Sequence, residues 1–144
     1  MKKQIRKSLI LLFITMFLIS SCSNSSKDLL IGKWNLLSIT KPDGVILYPE
    51  ENSSYYISFS ENNKLGGKDG CNHISGTFDT SFFSDELNLK QLITTEMGCI
   101  PSPTISRDFT EALGKINKFD LADNKLTLSE ENSDYSIFFE KEEI

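Results

Sequence analysis

Short stretches of apolar and polar residues, many strictly alternating, recur about every ten positions from Leu30 to Glu140, and turn-forming residues cut most of them off. This spacing is the strongest constraint on the fold. A period of two lets each segment bury one face only, so the segments must pair and turn that face onto a shared core. The rhythm is that of an antiparallel barrel or curled sheet. Candidate strands are Leu30 to Thr40, Val45 to Tyr48, Tyr55 to Phe59, Ile74 to Asp79, Glu86 to Lys90 and Leu92 to Met97. Lys118 to Leu121, Lys125 to Ser129 and Asp134 to Glu140 complete the set. Pro42-Asp43-Gly44, Glu61-Asn62-Asn63 and Asp123-Asn124 read as turns. Gly66-Gly67-Lys68-Asp69-Gly70 reads as a bulged or tightly turned segment where backbones come close.

One helix interrupts the strands. Pro101-Ser102-Pro103 breaks the sheet pattern, and Thr104 or Ser106 is placed to cap a helix. Ile105, Phe109, Ala112, Leu113 and Ile116 then fall at helical spacing and make one apolar face. That face is expected to cover an open edge or mouth of the sheet. With 144 residues, 39% of them hydrophobic, the chain can fill one core but not two.

The first residues read as an address. Lys2, Lys3, Arg6 and Lys7 precede an apolar run from Leu9 to Ile19, too short to span a bilayer but suited to a signal peptide. The run ends in Ile19-Ser20-Ser21-Cys22, the pattern of a bacterial lipobox. Residues 1–21 are read as a lipoprotein signal, with Cys22 lipidated as the first residue of the mature chain. An ordinary secretory signal cut near Ser20 or Ser21, or an uncleaved anchor, are the alternatives. A diacylglyceryl group carries the two acyl chains that stable anchoring needs. Residues 22–28 are read as a lipidated tether and 29–141 as the folded body. Ser23, rather than Asp, after the Cys points to the outer membrane if the cell has two.

Removing the four leader cations from fifteen Lys and Arg leaves eleven against twenty acids, a net charge of −9. Such a body has no electrostatic footprint for nucleic acid, and anionic lipid repels it. The expected contact with the membrane is through Cys22 alone, and the body is expected to be a monomer. Glu130-Glu131 and Glu140 to Glu143 read as a solvated edge and a frayed terminus.

Cys71 and Cys99 are the other cysteines, and an even pair outside the cytoplasm suggests a disulfide. Two buried structural thiols are an alternative. A nucleophilic Cys71 with His73 as its base is a third, with no residue evident to orient the base. Two Cys and one His leave a structural zinc site one ligand short, so no metal is expected. The chain has no GxSxG, P-loop or dinucleotide fingerprint, and no catalytic residues or cofactor are assigned.

Three ordered blocks carry a family resemblance. Gly70-Cys71-Asn72-His73-Ile74-Ser75-Gly76-Thr77-Phe78 resembles the GCNxxxGxY/F signature of the META domain, the family of the bacterial heat-shock protein HslJ. Leu30, Gly32, Trp34 and Leu36 match its LxGxWxL opening. Thr95, Met97 and Cys99, followed by Pro101, match its TxMxC block, and Phe109 and Leu113 fit the helix after it. Gly98, Phe78 and Asp108 are small departures from the usual residues. The resemblance implies an α+β fold, a curled, barrel-like antiparallel sheet with one packed helix. It implies fold-making roles for Trp34, Gly70, Asn72 and Gly76, and it brings Cys71 and Cys99 together from separate strands. It supplies no catalytic residues. The expected function is therefore a non-catalytic, stress-related or accessory binding role in the cell envelope, toward an envelope protein. A barrel holding a small apolar ligand is the alternative, and an enzyme built on Cys71 is a third reading.

Overall fold

A computed structural model describes residues 26–81, 84–100 and 104–143. The leader, Cys22 and Ser23–Ser25 lie outside the described residues. The chain runs through a short helix α1 (Ser26–Leu30), then β1 (Gly32–Thr40), β2 (Ile46–Leu47), β3 (Tyr55–Phe59), β4 (Lys64–Asp69), β5 (His73–Thr80) and β6 (Leu87–Thr94). Helix α2 (Ser106–Leu113) and strands β7 (Lys118–Ala122), β8 (Lys125–Ser129) and β9 (Ser136–Lys141) follow. Every strand pairing is antiparallel, in the order β6-β5-β4-β3-β1-β9-β8-β7, with β2 added to β1.

The sheet curls until its two edges touch at one point. Glu86 bridges to Lys118, Leu87 N–H donates to the Asn117 carbonyl at 2.9 Å, and Phe119 N–H donates to the Asp85 carbonyl at 2.9 Å. Beyond this contact β6 and β7 have no ladder between them among the described residues. The barrel is thus cracked along one side. A bulge and a lysine blunt the open edge of β6: Gln91 has φ +53°, and Lys90 precedes it.

Glycine permits the curl. A Cβ on Gly67 would stand 2.6 Å from the Tyr56 carbonyl, so strands β3 and β4 meet more closely than any side chain allows. A Cβ on Gly76 would stand 2.9 Å from the Lys90 carbonyl, opposite the bulge, where the register slips between Ser75 and Thr77. The segment Gly66–Gly70, expected as a bulge or turn, is therefore mostly strand β4. The expected close backbone approach is present. Leu92 and its neighbours, expected as a separate strand, continue β6 through the bulge, and residues from Thr95 onward leave the sheet.

The apolar face lies where the alternation puts it. Tyr55, Ile57 and Phe59 of β3 are buried, as are Leu126 and Leu128 of β8 and Ile137 and Phe139 of β9. In β1 the inward series Trp34, Leu36, Ile39 skips a residue. The β1–β9 register slips between Leu36 and Ser38, which turns Leu37 outward and lets Ile39 turn in. Helix α2 buries Phe109, Ala112 and Leu113, and Phe109 meets the rings of Tyr55 and Phe139 at 5.8 and 6.1 Å between centroids. Burying a side chain the size of Phe109 or Leu113 contributes about 1.5–3 kcal/mol.

Two details depart from the sequence reading of the helices. Lys27 and Asp28, expected in the tether, belong to α1, a second helix beside the one expected. Leu30 seals its end: it is fully buried, and its carbonyl accepts the Trp34 indole N–H at 2.7 Å. The N-cap of α2 is neither Thr104 nor Ser106 but Ile105, whose side chain has no acceptor to cap with, and the Thr104 hydroxyl donates to Glu50.

Antiparallel pairing gives the barrel two ends. Helix α1, the start of β1, the Glu61–Asn63 turn and the Asp123-Asn124 turn share one end. The end of β4, the start of β5, the end of β6 and the start of α2 share the other.

Candidate functional site

The site grows from the turn between β4 and β5. Asp69 is a buried charged residue, 2% exposed, and it ends β4 on the inward face. Its Oδ1 accepts the backbone N–H of Asn72 at 2.6 Å and that of Cys71 at 3.1 Å, while Oδ2 accepts from the Asn72 amide at 3.3 Å. A carboxylate so held is satisfied by the turn it closes. Gly70 inside that turn has φ +87°, and a Cβ there would strike the Tyr55 ring at 2.6 Å. Only glycine fits both the angle and the space.

Asn72 passes the order on. Its Oδ1 accepts the Met97 N–H at 2.7 Å, which fixes the stretch after β6. His73 and Thr95 lock the same stretch: Thr95 N–H donates to the His73 carbonyl, and His73 N–H donates to the Thr95 hydroxyl, each at 3.0 Å. The His73 side chain is exposed. Cys71 and Cys99 are bridged here, with Cα atoms 6.0 Å apart. Neither cysteine lies in a strand: Cys71 sits in the β4–β5 turn and Cys99 in the segment that follows β6. A bridged Cys71 has no thiol for a base to deprotonate.

Opposite this wall stands the start of α2. Lys41 and Asp108 form an ion pair at 2.9 Å that ties the helix to the end of β1, and the pair raises the pKa of Lys41. Glu50 takes hydrogen bonds from both the hydroxyl and the backbone N–H of Thr104. Burial by itself would raise the pKa of Glu50. The Thr104 hydroxyl and backbone donors outweigh it and hold the carboxyl at about 2. Burial pushes the neighbouring Tyr55 phenol above its ordinary range, and the Glu50 carboxylate adds to that. The Tyr55 hydroxyl and Glu50 Oε2 are buried without a hydrogen-bond partner.

Between the two walls lies an open groove of about 680 Å³. Asp69 and Asn72 form its floor. Thr94, Thr95 and Glu96 stand on one side, and Thr104, Ser106, Arg107, Asp108 and Thr110 on the other. The lining is hydroxyl, amide and carboxylate, with one guanidinium. Among the described residues no cluster of three or more His, Cys, Asp or Glu is arranged to hold a metal ion.

Two of the three signature blocks meet at this turn, Gly70, Cys71 and Asn72 from one and Thr95, Met97 and Cys99 from the other. The family model of the META domain matches residues 27–143. The chain belongs to the META domain family. Solved structures share the fold. An NMR structure of a protein from Burkholderia xenovorans superposes with a TM-score of 0.68 at 19% identity, covering 83% of this chain and 88% of that one. A crystal structure of a duf4847 family protein from Bacteroides vulgatus gives 0.58 at 18% identity, covering 79% and 96%. No curated protein matches the chain.

Within the META domain, Trp34 and Gly76 sit away from the groove, in the core and opposite the β6 bulge. Asp69, Glu50 and Tyr55 escaped the sequence reading. The Asp69-Gly70-Cys71-Asn72 run did carry a signal, since an Asp before a glycine turn commonly accepts the N–H two residues on.

Proposed function

We propose that this META domain is a lipid-anchored, non-catalytic binding module of the bacterial envelope, and that it binds through the groove at the open end of its barrel. The observation that carries the reading is the groove itself. It is a large polar concavity whose walls are pinned by a disulfide, a buried carboxylate and an ion pair. Rigid walls lower the ordering cost of binding. Among the described groove residues the one hydroxyl held by a carboxylate is that of Thr104, and Glu50, held at about 2, is a weak base. Among the described residues no helix is long and apolar enough to cross a membrane, and the anchor we propose is Cys22, on its Ile19-Ser20-Ser21-Cys22 motif.

The alternative of a barrel around a small apolar ligand has less support. The interior positions are filled by Trp34, Phe78, Phe109, Leu113 and Phe139, each at most 1% exposed. The test is mass spectrometry of protein taken from its native envelope. It should find acyl chains on Cys22 and nothing upstream, and Cys22→Ala should move the protein to the soluble fraction with its fold intact. An unmodified Cys22 would overturn the anchor.

A further inference from the structure

We propose that the end of the barrel opposite α1 is a protein-docking rim, whose occupant is an envelope protein presenting a basic strip flanked by apolar side chains. The proposal deepens the binding reading above and rests on it for the anchor at Cys22.

The first observation is where the exposed apolar residues lie. Val45, Ile46, Tyr48, Ile93, Met97 and Ile100 are large hydrophobics between 46% and 99% exposed. All six belong to the β1–β2 hairpin or to the stretch from the end of β6 onward. Both border the groove end. Of the remaining exposed large hydrophobics among the described residues, Leu37 is the bulge residue of β1, and Leu29 is on α1. Exposed apolar residues scattered singly need no explanation, but six gathered at one end mark an interaction surface.

The second observation is the chain outside the described residues. Cys22 stands four residues before Ser26, so the tether reaches at most about 14 Å. Strand β1 starts at the α1 end, and its nine residues carry the chain to the other. They span about 30 Å along the strand and about 20 Å along a tilted barrel axis. A body held at α1 turns its rim away from the bilayer. Its charge of −9 keeps it from lying down on anionic lipid. The apolar residues of the rim thus face the aqueous space and not the membrane.

The third observation is charge. Glu96 is exposed on the groove wall, and Asp43 and Glu51 are exposed at the hairpin and just after it, against one Arg107, because Lys41 already pairs Asp108. A basic strip of the partner complements this, with apolar side chains settling on the hairpin and on Met97 to either side.

The experiment uses the full chain in its native envelope. Photoreactive benzoylphenylalanine replaces Tyr48 or Met97 at the rim, and Glu61 or Asp123 at the α1 end. Discrete protein adducts are expected from Tyr48 and Met97 and not from Glu61 or Asp123. Glu96→Lys should weaken them about five-fold or more without changing the melting curve, and added salt should weaken them too. Lipid adducts at the rim, an adduct with the mass of two copies of this chain, equal labelling at both ends, or no adduct would each overturn the proposal. An acylated Cys22 without rim adducts sinks the partner alone. Rim adducts with an unmodified Cys22 sink the anchor alone.

Discussion

Asp69 shows how one side chain can order a whole site. Its carboxylate takes two backbone donors of the turn and the amide of Asn72, which in turn holds Met97. Asp69→Ala strands those buried donors and should cost about 2–3 kcal/mol, whereas Asp69→Asn keeps an oxygen at Oδ1 and should cost about 1 kcal/mol. Urea denaturation of the two variants checks the order. Equal losses would mean that the charge, not the acceptor geometry, matters. Glu50 makes a pH prediction. Its carboxyl is held at about 2, below its usual 4.5. A depressed folded pKa stabilises the protein above the unfolded value and loses that stability as pH falls through the folded one. The loss falls between pH 4.5 and 2, and solvent screening at a half-buried group limits it to about 1 kcal/mol. Glu50→Gln should therefore flatten the acid limb of the stability curve over that window. An unchanged acid limb would refute the assignment.

At the scale of elements, the disulfide connects a strand turn to an irregular segment across 28 positions. The chain-entropy model gives a loop of that length about 3–4 kcal/mol. Cys99→Ser or reduction should lower stability by about that amount. It should also loosen the Thr95–Ile100 stretch first, seen as faster hydrogen exchange at Met97 than in β1. Slow exchange at Met97 after reduction would show that Asn72 and Thr95 suffice to hold the wall. Helix α2 has no side-chain cap at its start, and its first turn is held by Lys41–Asp108 and by Thr104 on Glu50. Its place depends on tertiary contacts more than on its own propensity.

For the whole molecule, the core is continuous from Leu30 on α1 through the barrel to Phe109 and Leu113 on α2. One core melts as one unit. Heating or urea should give a single transition by both far-ultraviolet circular dichroism and Trp fluorescence. Trp34 is the chain's single Trp, is 1% exposed and donates to the Leu30 carbonyl, so its emission should be blue-shifted in the native state. Emission typical of water, or two separated transitions, would contradict this packing.

The class of fold is legible in the sequence, because a two-residue period buries one face of each strand and the short turns between strands require antiparallel pairing. Trp34, Phe59, Phe78, Leu126 and Phe139 obey that rule, and helical spacing sets the face of Phe109 and Leu113. The three motif blocks also determined the family. The tertiary structure alone decided the rest. Gly66 and Gly67 read as a bulge or tight turn with close backbone approach, and the approach is present, but within strand β4, where the lack of side chains lets it press against β3. The bulge at Gln91 and the closure at Glu86–Lys118 depend on partners far along the chain, which local pattern does not record. The groove has the same origin. Asp69, Thr95, Glu96, Thr104 and Arg107 are ordinary polar residues in sequence, and only the curl of the sheet and the packing of α2 set them around one concavity.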